Sequence, residues 1–246
     1  MKYNCTGVKR KQKNPTNWAF AALPMNRESA VMLPEEVSIK QKFPPVYTQL
    51  HGDCTTNAVL ACDAYYYHNP NWDPSRSFTY HNQHILDEEP FDIDDGSTVE
   101  TAIDAVRKYG ACNSKIWPNT KPITEKPTKE AYKNGLKGKE ITKYYNTKTI
   151  LQIKKALANG YPVAAAVAWA FEDYDNLYIL NDVSKKEANK CDRGHAIVIV
   201  GYNDRLGIFE IRNSWGPEWA NNGYAYITYD TMRNVLWYDD TYAIVR

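Results

Sequence analysis

What this 246-residue chain lacks narrows the reading first. It has no charge surplus to steer it toward nucleic acid or an anionic membrane, because 30 Lys and Arg stand against 29 Asp and Glu. No run approaches the roughly 20 apolar residues that cross a bilayer. The one apolar cluster near the start, Trp18-Ala19-Phe20-Ala21-Ala22-Leu23, is too short and too late for a secretory signal, so the expected location is intracellular. Cysteine is sparse and odd in number, at Cys5, Cys54, Cys62, Cys112 and Cys191, which fits reduced thiols and at least one that is free. The Asn4-Cys5-Thr6 sequon is then a chance match. Repeats and low-complexity stretches are absent, and the basic run Lys9-Arg10-Lys11-Gln12-Lys13 reads as a solvated tail. What is present, 43% hydrophobic and 24% charged residues, describes a globular chain with room for one large domain or two packed lobes.

The pattern along the chain runs helices first and strands later. Residues 1–32 read as an extension interrupted by Pro15 and Pro24, and Leu33 to Pro45 as an extended lead-in. Ala58, Ala61, Cys62 and Tyr65 recur at helical spacing, which predicts a helix from about Cys54 to Tyr67 with Cys54 in its first turn. Ser77 to Leu86 is a second amphipathic stretch. Ser97-Thr98-Val99-Glu100 offers a capping box ahead of a helix that Gly110 ends. Trp117 to Lys139, rich in Pro, Lys and Asn, reads as surface loop. Ile150 to Ala158 is helical with an Asn159-Gly160 stop, and Val163 to Trp169, His195 to Tyr202, Ile208 to Arg212 and Tyr224 to Tyr229 are strand candidates. This order predicts an α+β protein, with residues 33–139 forming a mainly helical lobe and 140–246 a β-rich lobe.

Three stretches carry chemistry. In Gln49-Leu50-His51-Gly52-Asp53-Cys54 the thiol falls at a helix start, where unpaired N–H groups and the positive end of the helix dipole favour a thiolate. Gly194-His195-Ala196 opens a buried-type strand with an imidazole. Arg212-Asn213-Ser214-Trp215-Gly216 lets an Asn leave a strand into a Trp- and Gly-rich turn. A thiol needs a base, a base needs an orienter that fixes its tautomer, and an attacked carbonyl needs donors for its developing oxyanion. Cys54, His195 and Asn213 fill the first three roles, and Gln49 with the Cys54 N–H supplies candidate donors.

These stretches, with Asn222-Gly223-Tyr224, Leu33-Pro34-Glu35-Glu36-Val37, Asp95-Gly96-Ser97 and Tyr109-Gly110-Ala111-Cys112, resemble the papain-like cysteine peptidases over residues 33–246. Cys54 and His195 are about 140 positions apart, within the separation of about 130–150 that papain itself shows. The resemblance implies a two-lobed fold, with a barrel-like antiparallel β lobe and the cleft between lobes. It implies Cys54 as nucleophile, His195 as base and later acid, Asn213 as orienter, Gln49 as oxyanion donor and Trp215 as shield. The family's Cys-Gly-Ser-Cys-Trp signature is replaced here by Cys54 followed by Thr55. Gln49 stands five residues before the thiol rather than six. This version looks more like microbial or viral branches, so host cytoplasm or a virion are the expected settings.

The implied activity is endopeptidase hydrolysis of a polypeptide through a thioester acyl-enzyme, by a monomer without cofactor or metal. Alternatives are exopeptidase trimming with the same triad, an acyl transferase, or a silent binding or structural protein. His81, His84 and Asp87 have metal-ligand spacing on one helical face without a clear fourth ligand, and read instead as structural. His51 is an exposed loop residue or a substrate contact. Cys62 and Cys112 read as buried thiols. The apolar Trp18 to Leu23 suggests a segment that folds back along the cleft and restrains activity.

Overall fold

The computed structural model describes residues 7–10, 32–67, 69, 72–137, 143–171, 178–191 and 194–245. Its first helix, α1 (Cys54–Ala64), has every residue buried rather than the single expected stripe. A helix enclosed on all sides needs small side chains and internal partners for its polar ones. Accordingly eight of its eleven residues are Ala, Thr, Cys or Asn, the Asn57 amide donates to the Asp53 carbonyl at 2.8 Å, and Thr55 and Thr56 both pair with the Gln83 amide.

Gln83 lies on α2 (Arg76–Asp87), which is capped by Ser75 accepting from Phe78 N, and α3 (Val99–Tyr109) follows. The capping box expected of Ser97 and Glu100 does not form. Thr98 is the cap, accepting from Thr101 N, while Ser97 Oγ donates to Asp87. The first turn of α3 instead donates Val99 N and Glu100 N to the buried Asp240 carboxylate, a favourable place for an anion at the positive end of a helix. The stretch read as surface loop contains α4 (Lys129–Lys137). Its buried residues are only Ala131 and Gly135, with the half-buried Tyr132 packed beside them on Phe78 and Tyr109. Gly135 nonetheless lets α4 reach Gly110 so closely that a Cβ on Gly110 (φ +76°) would sit 1.8 Å from the Gly135 carbonyl. Further along come α5 (Ile150–Ala158), capped by Thr149, α6 (Lys185–Lys190) with a true capping box between Ser184 and Glu187, and α7 (Tyr229–Val235).

The strands are β1 (Glu36–Ser38), β2 (Lys143–Asn146), β3 (Val163–Ala168), β4 (Ile179–Leu180), β5 (Gly194–Asn203), β6 (Ile208–Arg212), β7 (Tyr224–Thr228) and β8 (Leu236–Val245). They form one sheet in the order β2-β8-β3-β5-β6-β7-β4, with β1 from the lead-in also paired to β5. All pairings are antiparallel except β4 with β7. The expected barrel-like closure is absent among the described residues. The sheet is open and mixed, and its last strand β8 escapes a sequence reading because Asp239-Asp240 interrupts its apolar run. β3 and β5 are covered on both faces and read as continuous apolar runs for that reason. α1 packs against β5, and one hydrophobic core runs from α1 and α3 into the sheet. A smaller core of Phe78, Cys112, Trp117 and Ala131 closes the far end of the helical half. Among the described residues no helix is long and apolar enough to cross a membrane.

Candidate active site

Cys54 is the first residue of α1 and is fully buried. Asp53 precedes it at the N-cap position but makes no side-chain cap, and its Oδ1 is buried without a hydrogen-bond partner among the described residues. Burial pushes the Asp53 carboxyl up to about 6, against the opposing pull of His51, which reduces the negative charge beside the thiol at mildly acidic pH.

His195 is the second residue of β5 and pairs with Val167 of β3. Its Nε2 lies 2.7 Å from Asn213 Oδ1 at the end of β6. With Nε2–H donating there, the neutral ring presents Nδ1 as an acceptor, and Nδ1 is buried with no hydrogen-bond partner among the described residues. Asn213 is itself held: its N–H donates to the Gly223 carbonyl at 3.0 Å, and Oδ1 also accepts from Ser214 N at 2.7 Å. The imidazole sits between Trp215, at 4.7 Å and tilted 35°, and Trp169, at 4.9 Å and edge-on. Burial among these rings lowers its pKa to about 4, although the Asn213 hydrogen bond acts in the opposite direction. Nothing local in the sequence marks Trp169. It ends the apolar run of β3, and only the antiparallel pairing of Ala168 with Gly194 places it against the histidine.

Gln49 joins the same neighbourhood from the lead-in. Thr48 bridges to Trp215, Gln49 N donates to the Ser214 carbonyl at 2.8 Å, and Ser214 Oγ donates to Gln49 Oε1 at 2.6 Å. The side-chain amide thereby points Nε2 toward the His51 carbonyl, 3.1 Å away. The lead-in is held by Arg212, buried on β6, whose guanidinium donates to the Pro44 and Pro45 carbonyls beneath the rings of Phe43 and Tyr47. Sequence reasoning passed over this anchor.

Residues 7–10 cross the site. Lys9 N donates to Ser97 O at 2.9 Å and Ser97 N to Gly7 O at 3.0 Å, a parallel bridge centred on Val8. Gly7 packs on the thiol: a Cβ there would lie 2.5 Å from Cys54 Sγ and 2.4 Å from Gly52 O. Val8 O in turn approaches Gly194, where a Cβ would stand 2.6 Å away. Successive Cα atoms are about 3.8 Å apart, so two adjacent residues span the gap from α1 to the start of β5. Trp18 to Leu23, expected along the cleft, lies outside the described residues, as does Cys5.

The chain matches, over residues 2–243, the family described as papain family cysteine protease. It belongs to that family. A relative is the uncharacterized peptidase C1-like protein of Acanthamoeba polyphaga mimivirus, 32% identical over 214 residues, covering 78% of this chain and 67% of that one. Another is Peptidase 1 of Euroglyphus maynei, 24% identical, covering 80% of this chain and 62% of the mite protein. The papain-family chain thus spans about two thirds of the length of these curated relatives. Among solved structures it is similar to xylellain, a cysteine protease of Xylella fastidiosa, with a TM-score of 0.84, 26% identity and coverage of 100% and 98%. It shares the fold of digestive procathepsin L 3 from Tenebrio molitor at a TM-score of 0.72 and 15% identity, covering 98% and 76%. As a papain-family cysteine protease it is a hydrolase, and its viral and bacterial likenesses accord with the microbial or viral style of the Cys54 motif.

The remaining sequence candidates have structural duties. His81 Nδ1 is 2.7 Å from the Ile123 carbonyl and its ring stacks on Phe91, while His84 Nδ1 is 3.2 Å from the Pro90 carbonyl. Asp87 accepts from Ser97 and Thr101 hydroxyls. No group of three or more potential metal ligands occurs among the described residues. His51 Nδ1 stands 3.9 Å from Asp94 and its ring lies over Tyr80. Cys62 and Cys112 form no disulfide among the described residues, and burial pushes the Cys112 thiol up to about 12 and that of Cys62 further.

Proposed function

We propose that this papain-family protease is an endopeptidase in which Cys54 is the nucleophile, His195 the base and then the acid, and Asn213 the orienter. The observation that carries the reading is the 2.7 Å contact of His195 Nε2 with Asn213, which leaves Nδ1 as the proton acceptor of a neutral, water-shielded imidazole. Cys54 passes its proton to His195 Nδ1 and the thiolate attacks a peptide carbonyl carbon. The carbonyl π pair moves to oxygen, where the Cys54 N–H at the helix start and the Gln49 amide act as donors. The intermediate collapses as His195 protonates the leaving nitrogen, the C–N bond breaks and a thioester remains. Water, deprotonated by His195, cleaves the thioester to an acid and restores the thiol. Gln49 Nε2 gives one of its two N–H groups to the His51 carbonyl, and the other is the candidate oxyanion donor.

In the arrangement described, residues 7–10 close the site. Gly7 O accepts from Ser97 N and Gly7 packs on the thiol, so the segment is held as a cover over Cys54. Residues 7–10 therefore act as a propeptide-like cover.

The test is a cleavage profile on end-blocked peptides, taken with the full chain carrying Gly7→Val and with Gly7→Val/Cys54→Ala. Internal cuts by the first alone are expected. Equal cleavage by both would sink the thiol mechanism, and failure on blocked ends with trimming of free ones would make the protein an exopeptidase.

A further inference from the structure

The segment over the thiol also reads out the cleft's preferences. Lys9 Nζ lies 3.0 Å from Glu89 Oε1 and 2.9 Å from Asp95 Oδ1, while Arg10 places its guanidinium 5.0 Å over Trp237. Alternate residues of an extended chain face opposite ways, so the pairing of Val8 with Ser97 delivers Lys9 outward to this acidic notch. We propose that the notch of Glu89 and Asp95 is a subsite for a basic side chain, Lys or Arg, of the polypeptide substrate, at the third residue counted from the one against Cys54. The inference rests on the peptidase reading above.

The notch is held in place relative to the thiol. Asp94 accepts from Gly52 N and from Tyr80 Oη, both at 2.8 Å, which ties the acidic loop to the loop that carries Cys54. Glu89 N donates to the His84 carbonyl at the end of α2, and Ser97, the residue that pairs with the segment, is fixed by Asp87. Gly7, Val8 and Lys9 mark three successive positions at about 3.3 Å per residue. A substrate strand paired to Ser97 in either direction places its third residue at the same notch. Burial alone would lower the Lys9 pKa, but the hydrogen bonds that Lys9 donates to Asp95 and Glu89, with their negative charge, outweigh it and raise the value, so the lysine is held charged. The notch carboxylates are partly exposed, with side-chain accessibilities of 35% and 54%, so solvent screening limits the preference to about three- to tenfold.

Two measurements on the full chain test this. In the Gly7→Val protein, end-blocked peptides differing only by Lys, Ala or Glu at the third residue on either side of the cut are compared by kcat/KM. On one side Lys is expected to exceed Glu by about three- to tenfold, and Glu89→Gln/Asp95→Asn to bring the ratio near one; an unchanged ratio overturns the proposal. The second measurement needs no turnover. The alkylation rate of Cys54 by iodoacetamide, read by mass spectrometry of its own peptide, is expected to rise several-fold in Lys9→Glu. It is expected to fall back when Lys9→Glu is combined with Glu89→Lys/Asp95→Lys. If the exchanged pair stays fast, the notch does not select charge and the proposal fails. If no peptide is cut while the exchange restores slow alkylation, the basic-side-chain site stands and the peptidase reading falls.

Discussion

Gly7 and Cys54 touch so closely that Gly7 has no room for a side chain: its Cβ would stand 2.5 Å from Sγ and 2.4 Å from the Gly52 carbonyl. The Gly52 contact is to backbone and cannot yield by a rotamer change. Gly7→Val in the full chain is therefore expected to lift residues 7–10 off the site and speed alkylation of Cys54 by at least about tenfold, a free-energy change of roughly 1.4 kcal/mol. The global denaturation midpoint should barely move, because the segment adds few buried apolar groups. An unchanged alkylation rate would show that the segment does not limit access.

The buried imidazole gives the fold a pH dependence of known sign. His195 titrates near 6.5 when unfolded and at about 4 when folded, so between those values the unfolded chain binds more protons. The stability that comes from keeping His195 neutral is present above about pH 6.5 and is lost as the pH falls through about 4. It amounts to about 3 kcal/mol. Asp53, whose pKa is raised, works the other way over its own window, since its charged form is the one that folding disfavours. Urea midpoints at pH 7 and pH 4.5 in wild type and His195→Gln separate the two. The variant should lose less stability on acidification, and parallel losses would mean that His195 is not buried in its neutral form.

Much of this site is legible in the sequence because its parts are marked locally. Cys54 stands at a helix start, His195 opens an apolar run, and Asn213 leaves a strand into a Gly- and Trp-rich turn, so residue type and spacing carry the constellation. The lobes are legible for the same reason: α1, α2, α3 and α5 appear at helical spacing, and β3, β5 and β6 as apolar runs. What was not legible depends on long-range geometry. Trp169 meets His195 only through strand register, and β8 is a ten-residue strand hidden by Asp239-Asp240. Gly7 to Arg10 offers a single apolar residue and is held by two backbone hydrogen bonds and by the charged Lys9 and Arg10 side chains, so it reads as a tail. α4 packs through Ala131, Tyr132 and the missing side chain of Gly135, too few apolar positions to stand out among its Lys and Asn neighbours.

Asn213 is proposed to work through His195, so its removal should alter a pH profile as well as a rate. Asn213→Ala leaves the Nε2–H of a buried ring without its acceptor, a loss of about 1–3 kcal/mol, and kcat/KM in the Gly7→Val background is expected to fall roughly ten- to hundredfold. Asn213→Asp places a carboxylate beside the imidazole and should raise its pKa, moving the acidic limb of the profile upward while recovering part of the rate. Equal rates and an unmoved limb in both variants would leave Asn213 a structural residue of the β6 turn.

Asp239 and Asp240 are neighbours on β8 with very unequal expected effects. Asp240 is 1% exposed and receives Val99 N at 2.9 Å and Glu100 N at 3.1 Å, so it joins the last strand to the first turn of α3, next to the Ser97 that pairs with the segment in the cleft. Asp240→Ala strands two buried N–H groups at the positive end of a helix and is expected to cost about 2–4 kcal/mol. In a chain of this size that lowers Tm by roughly 5–15 °C. Asp239 makes an exposed pair with Lys148 at 3.2 Å, with side-chain accessibilities of 59% and 50%. Asp239→Ala should change stability by less than about 0.5 kcal/mol, since surface pairs are screened by water and salt. Calorimetry of the two variants side by side decides the point. A Tm drop of similar size in both would trace the loss to β8 as a strand, whereas a drop confined to Asp240→Ala assigns it to the carboxylate that caps α3.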